Sequence, residues 1–239
     1  MTGTLYGLGL GPGDPELLTL KALRLLRTAP VIAYPATESG DSFARAIVAQ
    51  WLSPAQREIA IRFPMRPGPP PAAIYDGAAA QLIAALAAGN DLVYLCQGDP
   101  LFYGSFAGIL TRLAGQCRIA VVPGVSSLTA CAAMAGLPLV QRNGVLSVVP
   151  ANLAELQLRA ALARIAAAGD AAAIIKLGRH AAKLRLILQE LQLLDRAVYV
   201  ERASLQTQRI APLAAVDPAQ VPYFATVLIA AAAASETAL

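Results

Sequence analysis

LYGLGLGPGDPELLTLKALRLLR, residues 5–27, decides how the chain is built. Residues 5–9 read as a short strand. Residues 16–27 carry Leu18, Ala22, Leu25 and Leu26 at i, i+4, i+7 and i+8, the apolar stripe of an amphipathic helix. Asp14 is a suitable N-cap, and Pro15 suits the first helical position, where its missing N–H would have had no partner. Between strand and helix runs Gly7-Leu8-Gly9-Leu10-Gly11-Pro12-Gly13-Asp14-Pro15, so the unit is strand, glycine loop, helix.

The alternation continues on the far side. Residues 31–34, 59–63, 92–96 and 119–122 read as strands, with helices at 42–51, 75–88 and 105–113, the succession that builds a parallel sheet. Residues 64–71, PMRPGPPP, are an extended loop. After Gly136-Leu137-Pro138 the texture restarts, with strands at 145–149, 172–177, 198–201 and 223–229, helices at 154–168 and 183–191, and a hairpin-like stretch at 208–216. The expectation is an α/β protein of two α/β lobes, residues 1–137 with a mainly parallel sheet and residues 138–239 with a mixed one.

At 239 residues, 56% hydrophobic and 14% charged, the chain is far too apolar to stay disordered. Two uncharged stretches, 119–141 and 218–235, approach the length of about 20 residues that a membrane span requires. Pro123, Gly124, Gly136 and Pro138 break the first, and Pro222 breaks the second. No basic segment precedes the apolar start at Leu5, so the expectation is a cytoplasmic protein without a membrane partner. Cys96, Cys117 and Cys131 are odd in number and show no C-x-x-C spacing; with His180 as the single histidine, neither a disulfide framework nor a protein-built metal site is expected. The net charge of +4 rests on 16 Arg and 3 Lys, scattered without a basic run, so no nucleic-acid partner is expected.

In open α/β sheets ligands bind beyond the carboxyl ends of the strands, which directs attention to three loops. The first offers no G-x-G-x-x-G and no G-x-x-x-x-G-K-[ST], and Asp14 puts negative charge where a pyrophosphate needs attraction. A ligand there should be neutral or cationic. The second, Gln97-Gly98-Asp99-Pro100-Leu101-Phe102-Tyr103-Gly104-Ser105, again places an acid at a strand-to-helix turn, where an Asx turn is the plain structural use. The third, Pro123-Gly124-Val125-Ser126-Ser127, offers hydroxyls and backbone N–H groups at a helix start. A serine hydrolase is excluded by the absent G-x-S-x-G and the single histidine.

Gly11-Pro12-Gly13-Asp14-Pro15, Gly98-Asp99-Pro100 with Tyr103-Gly104-Ser105, and Val122-Pro123-Gly124-Val125-Ser126-Ser127 together resemble the tetrapyrrole methylases, the class III S-adenosylmethionine-dependent methyltransferases. The resemblance extends to Ile175-Lys176-Leu177-Gly178 and to Glu201-Arg202-Ala203-Ser204 through Gln208-Arg209-Ile210, and so covers nearly the whole chain. It implies a homodimer of two-lobed chains, with the active site in the cleft between the lobes, S-adenosylmethionine as methyl donor, and a small-molecule tetrapyrrole substrate. Carried over position by position, it implies a cofactor site of Pro12, Gln97, Gly98, Asp99, Phe102, Ser126, Ser127, Leu177, Ala203 and Thr226.

Two departures stand out. The uroporphyrinogen methylases of the family carry Asp after the second strand where this chain has Pro35, and Gln97 replaces the Glu expected in many relatives. Because the substrate supplies the nucleophilic carbon, no catalytic base is implied; Tyr103 and Glu201 are the polar candidates for that role. The carboxylates of a tetrapyrrole give the arginine excess a use, and Arg66, Arg142, Arg179 and Arg202 lie in or beside loops. The metal state of the macrocycle stays open, as does a non-catalytic protein of the same fold that binds tetrapyrrole or S-adenosylmethionine.

Overall fold

A computed structural model describes residues 3–64 and 71–231. The chain divides into two units, Met1–Ser126 and Ser127–Leu239. The first holds five strands, β1 (Thr4–Gly9), β2 (Val31–Ala36), β3 (Arg57–Arg62), β4 (Leu92–Cys96) and β5 (Arg118–Val122), in the order β3-β2-β4-β1-β5. Every pairing among them is parallel.

Its helices are α1 (Leu20–Thr28), α2 (Phe43–Val48), α3 (Ala72–Ala87) and α4 (Phe106–Leu113). Leu26 of α1 and Ile47 of α2 share a core with Leu8, Ile32 and Leu95, whereas Leu82 of α3 and Ile109 of α4 share another with Leu5, Ala33 and Tyr94. The sheet is therefore covered on both faces, which is why β4 reads as an unbroken apolar run, LVYLC. Adjacent β1 and β4 send their chains to opposite faces, β1 toward α1 and β4 toward α4, so their carboxyl ends diverge at a topological switch point.

Residues 16–27, expected as one helix capped by Asp14, form two pieces. The Asp14 carboxylate accepts from Glu16 N at 2.8 Å and starts only a 3-10 turn, Pro15–Leu17. Leu18 is extended at ψ 140°, and Thr19 Oγ1 then accepts from Ala22 N at 3.1 Å to begin α1. Two good caps compete here, and the second sets the phase that buries Ala22 and Leu26.

The second unit carries α5 (Ser127–Ala135), β6 (Leu146–Pro150), α6 (Glu155–Ala168), β7 (Ala171–Ile175), α7 (Ala181–Glu190), β8 (Ala197–Glu201), β9 (Arg209–Pro212) and β10 (Ala225–Ile229). Its sheet runs β6-β7-β10-β8-β9, parallel between β6 and β7 and antiparallel elsewhere, the mixed sheet expected. Proline at the end of β6 is tolerated because β6 is an edge strand. Helix α5 packs on β8 and β10, so the division falls before it, upstream of the 137/138 boundary expected from sequence. Among the described residues no helix is long and apolar enough to cross a membrane.

Candidate functional site

Past the carboxyl ends of β1 and β4 the two loops are stitched together. Leu10 N donates to Cys96 O at 2.9 Å, and Gly98 N donates to Gly11 O at 2.7 Å, with the reciprocal Gly11 N to Gly98 O bond at 3.3 Å. Both glycines sit in the left-handed region, φ 77° and 69°, where a side chain is strained. Asp99 extends the seam: Oδ1 accepts from Leu101 N at 2.9 Å in an Asx turn, and Oδ2 accepts from Gly124 N at 3.1 Å beyond β5. The third loop lies hard against the other two, since a Cβ on Gly124 would stand 2.2 Å from Gly98 O and 2.8 Å from Gly9 C.

The structure thus brings Pro12, Gln97, Gly98 and Asp99 to one crossing in the first unit, with Pro12 and Gly98 buried and Gln97 and Asp99 half-buried. Phe102 and Tyr103 are exposed on the same loop, edge to face with ring centroids 5.0 Å apart, and Tyr103 is left-handed at φ 56°. Ser126 closes this unit; Ser127 opens α5 in the next.

In the second unit, Leu177, Ala203 and Thr226 are buried near one edge of the sheet, past β7, past β8 and at the start of β10. Thr226 shares a hydrogen bond with the Cys131 thiol of α5, whose pKa burial pushes up to about 11. Glu201 Oε2 accepts the Tyr199 hydroxyl at 2.9 Å while Oε1 faces Arg202 Nη1 at 3.5 Å, so both carboxylate oxygens are engaged. Burial and this bond push the Tyr199 phenol up. Arg142 and Arg179 are exposed, Arg142 left-handed at φ 45°. Arg179 Nε lies 3.5 Å from His180 Nε2, and burial together with Lys183 and Arg179 lowers the imidazole pKa. Arg66 lies outside the described residues.

Sequence reasoning found the three loops but not which glycines meet. It also gave no sign that Lys176 and Ser204, named within the motifs, are left-handed at φ 58° and 70°. Neither carries the glycine or asparagine that flags such a conformation.

A two-unit α/β chain with this loop crossing has the fold of methyltransferases of known structure. The cobalt precorrin-4 methyltransferase CbiF matches with a TM-score of 0.75 at 22% identity over 95% of this chain and 94% of that one. The uroporphyrin-III C-methyl transferase from Thermus thermophilus, solved with S-adenyl homocysteine, matches with a TM-score of 0.68 at 28% identity over 95% and 97%. The chain belongs to the tetrapyrrole (corrin/porphyrin) methylase family, whose model matches residues 4–217.

Among relatives, the cobalamin biosynthesis protein CobIJ of Mycobacterium bovis is 41% identical over 95% of this chain, and the chain spans 46% of that protein's length. A precorrin-2 C(20)-methyltransferase from Sinorhizobium sp. is 41% identical over 95% of both chains. A cobalt-precorrin-2 C(20)-methyltransferase from Salmonella typhimurium is 30% identical over 96% of this chain and 97% of its own.

Proposed function

We propose that the chain is an S-adenosylmethionine-dependent C-methyltransferase acting on C20 of precorrin-2, giving precorrin-3A and S-adenosylhomocysteine in corrin-ring biosynthesis. The observation that carries this reading is the 41% identity, over 95% of both chains, to the Sinorhizobium precorrin-2 C(20)-methyltransferase. The homologue solved with S-adenyl homocysteine supports the choice of donor.

The residues fit such a donor. Asp14 takes the Glu16 N–H at the first turn and leaves a negative charge there, which disfavours a phosphate and suits a cationic ligand. A Cβ on Gly98 would meet nothing within 4 Å, so the crossing of the two loops is open at that point.

When bound, S-adenosylmethionine supplies an electrophilic methyl group on positively charged sulfur. Pro12, Gln97, Gly98, Asp99, Phe102, Ser126, Ser127, Leu177, Ala203 and Thr226 are the residues that would hold it. Asp99 acts indirectly: with each oxygen on a backbone N–H, it fixes the loop bearing Gln97 and Phe102 against the loop bearing Ser126. Gln97 carries a neutral amide that orients by hydrogen bonding and takes up no proton. The electron-rich macrocycle carbon is the nucleophile, so the protein contributes positioning, the term that proximity and orientation supply. Glu201, engaged by Tyr199 and Arg202, is an orienting group rather than a proton acceptor. We read the protein further as a cytoplasmic homodimer, which gel filtration with light scattering tests.

The deciding experiment is anaerobic incubation of the purified protein with S-adenosylmethionine and either precorrin-2 or its cobalt-loaded form, with products weighed for one added methyl group. Gain on the metal-free substrate is the expected result. Gain on the cobalt form alone moves the protein to the chemistry named for the Salmonella relative. Donor binding without methyl gain on either substrate leaves the non-catalytic reading.

A further inference from the structure

Among the described residues six non-glycine residues adopt left-handed backbone: Tyr103, Arg142, Lys176, Gln192, Arg202 and Ser204. Two of them follow directly on β7 and β8, at φ 58° for Lys176 and 48° for Arg202, and Ser204, at 70°, comes two residues after Arg202. An L side chain in this region costs folding energy that glycine avoids, and such strain persists where the surrounding structure enforces it, commonly at functional sites.

The register of the sheet places two of these residues on one edge. Val227 of β10 pairs with Ile174 on one side and with Tyr199 on the other. Two residues further along, Ala225 lies beside Glu201, while on the other side of β10 the antiparallel β7 ends at Ile175, one residue before Lys176. Two strand spacings, about 10 Å, separate the flanking backbones. Arg202 comes next and donates its N–H to Phe224 O at 2.9 Å. The two chains that bear Lys176 and Arg202 therefore leave the same edge, one on each side of β10.

Arg202 is also anchored from within. Tyr199, fully buried, donates its hydroxyl to Glu201 Oε2 at 2.9 Å, and Glu201 Oε1 in turn faces Arg202 Nη1 at 3.5 Å. A line of one hydrogen bond and one ion pair thus runs from the core to an exposed guanidinium. Glycine would relieve the strain at 176 and 202 at once, yet both positions hold cations.

The geometry points to a paired cationic clamp, Lys176 and Arg202 with Glu201 as the residue that positions Arg202, which takes carboxylate side chains on the rim of the tetrapyrrole substrate. The inference rests on the tetrapyrrole reading and deepens it. Arg202 presents a planar fork suited to bidentate carboxylate binding, and Lys176 adds a point charge at a separation a macrocycle rim spans. The price in backbone strain is then a functional one.

The test compares wild type with Lys176→Gly, Arg202→Gly, Arg202→Lys and Glu201→Gln. The probe is uroporphyrin, a stable polycarboxylate that binds without reacting, followed by fluorescence over a range of salt; thermal unfolding and methyl transfer to precorrin-2 are measured in parallel. The clamp requires the glycine variants to unfold no earlier than wild type while Kd for uroporphyrin rises about tenfold each, as expected for losing a hydrogen-bonded charge. It also requires KM to rise more than kcat falls, the salt dependence to flatten, Arg202→Lys to recover part of the affinity, and Glu201→Gln to weaken binding less than Arg202→Gly.

Equal uroporphyrin affinity in wild type and glycine variants overturns the clamp and leaves the methyltransferase reading standing. Selective loss of affinity in the variants, in a protein that methylates neither form of the substrate, keeps the clamp and overturns the reaction. A wild type that does not bind uroporphyrin overturns the clamp.

Discussion

At the scale of single residues, the loop crossing is held by two kinds of glycine. Gly98 is glycine for its backbone: φ is 69°, and an added Cβ would meet open space. Gly124 is glycine for room, since its Cβ would stand 2.2 Å from Gly98 O, and Gly9 is its mirror, with a Cβ 2.4 Å from Gly124 N. Gly98→Ala is therefore expected to cost about 1–2 kcal/mol, the left-handed penalty, and to leave the loops in place. Gly124→Ala must push backbone apart and break the Asp99 bond to Gly124 N, so its expected cost is at least about 2–3 kcal/mol. Urea unfolding of the two variants checks the order; an equal or smaller loss for Gly124→Ala contradicts the packed crossing. Asp99 was legible in the sequence as an Asx-turn residue, and Oδ1 on Leu101 N is that turn. Its second bond reaches 25 residues along the chain, and a local motif carries no information about such a partner.

At the scale of elements, strands announced themselves more clearly than helix starts. The central strands β2 and β4 of the first sheet are buried almost throughout, and their apolar runs stand out from the helices between them. The start of α1 was obscured because Asp14-Pro15 is the stronger cap pattern while Thr19 is the cap that is used. Thr19→Ala is accordingly expected to lower stability by about 1 kcal/mol, read by chemical denaturation. A shift of a few tenths or less would return the helix start to Asp14.

A second element-level contact is electrostatic. Arg45 of α2 binds Glu58 of β3 through Nε at 2.6 Å and Nη2 at 2.8 Å, with Tyr34 of β2 also hydrogen-bonded to Glu58. Arg45 holds the Glu58 carboxyl below its ordinary value of 4.5, against opposing desolvation. A lowered carboxyl pKa stabilises the fold above the unfolded value, and that contribution fades as pH falls through the lower folded value. Stability should therefore drop as the solution is acidified below about pH 4.5, and Glu58→Gln should remove that part of the slope. With both side chains partly exposed, the pair is worth about 0.5 kcal/mol near neutral pH. An unchanged acid slope in the variant would show that the pair contributes nothing.

At the scale of the whole molecule, the two units differ in how their architecture shows in the sequence. The first follows one rule, strand then helix with every neighbour parallel, and its periodicity carries that rule. The second mixes one parallel pair with three antiparallel ones, and strand order in such a sheet comes from packing that no local pattern encodes. Strand β7 shows the difficulty: Ala171, Ala172 and Ala173 are poor strand formers, yet each is fully buried in the interior of the sheet, where fit outweighs propensity.

Each unit also encloses one buried cysteine that reports on its integrity. Cys96 lies on β4 in the first unit with its thiol pKa raised by burial, and Cys131 lies on α5 in the second, beside Thr226, with its thiol pushed up to about 11. At pH 8 a thiol of pKa 11 is ionised in on the order of one molecule in a thousand, and only the thiolate attacks a disulfide reagent. Cys117 is half-buried and should be the one cysteine modified by an aromatic disulfide reagent in the native protein. Peptide mapping after labelling across a urea series should find Cys96 and Cys131 modified only where their own units unfold. Rapid native labelling of Cys131 would mean that α5 opens away from β10, and the Thr226 position proposed for the donor site would then belong to a mobile surface instead of a packed wall.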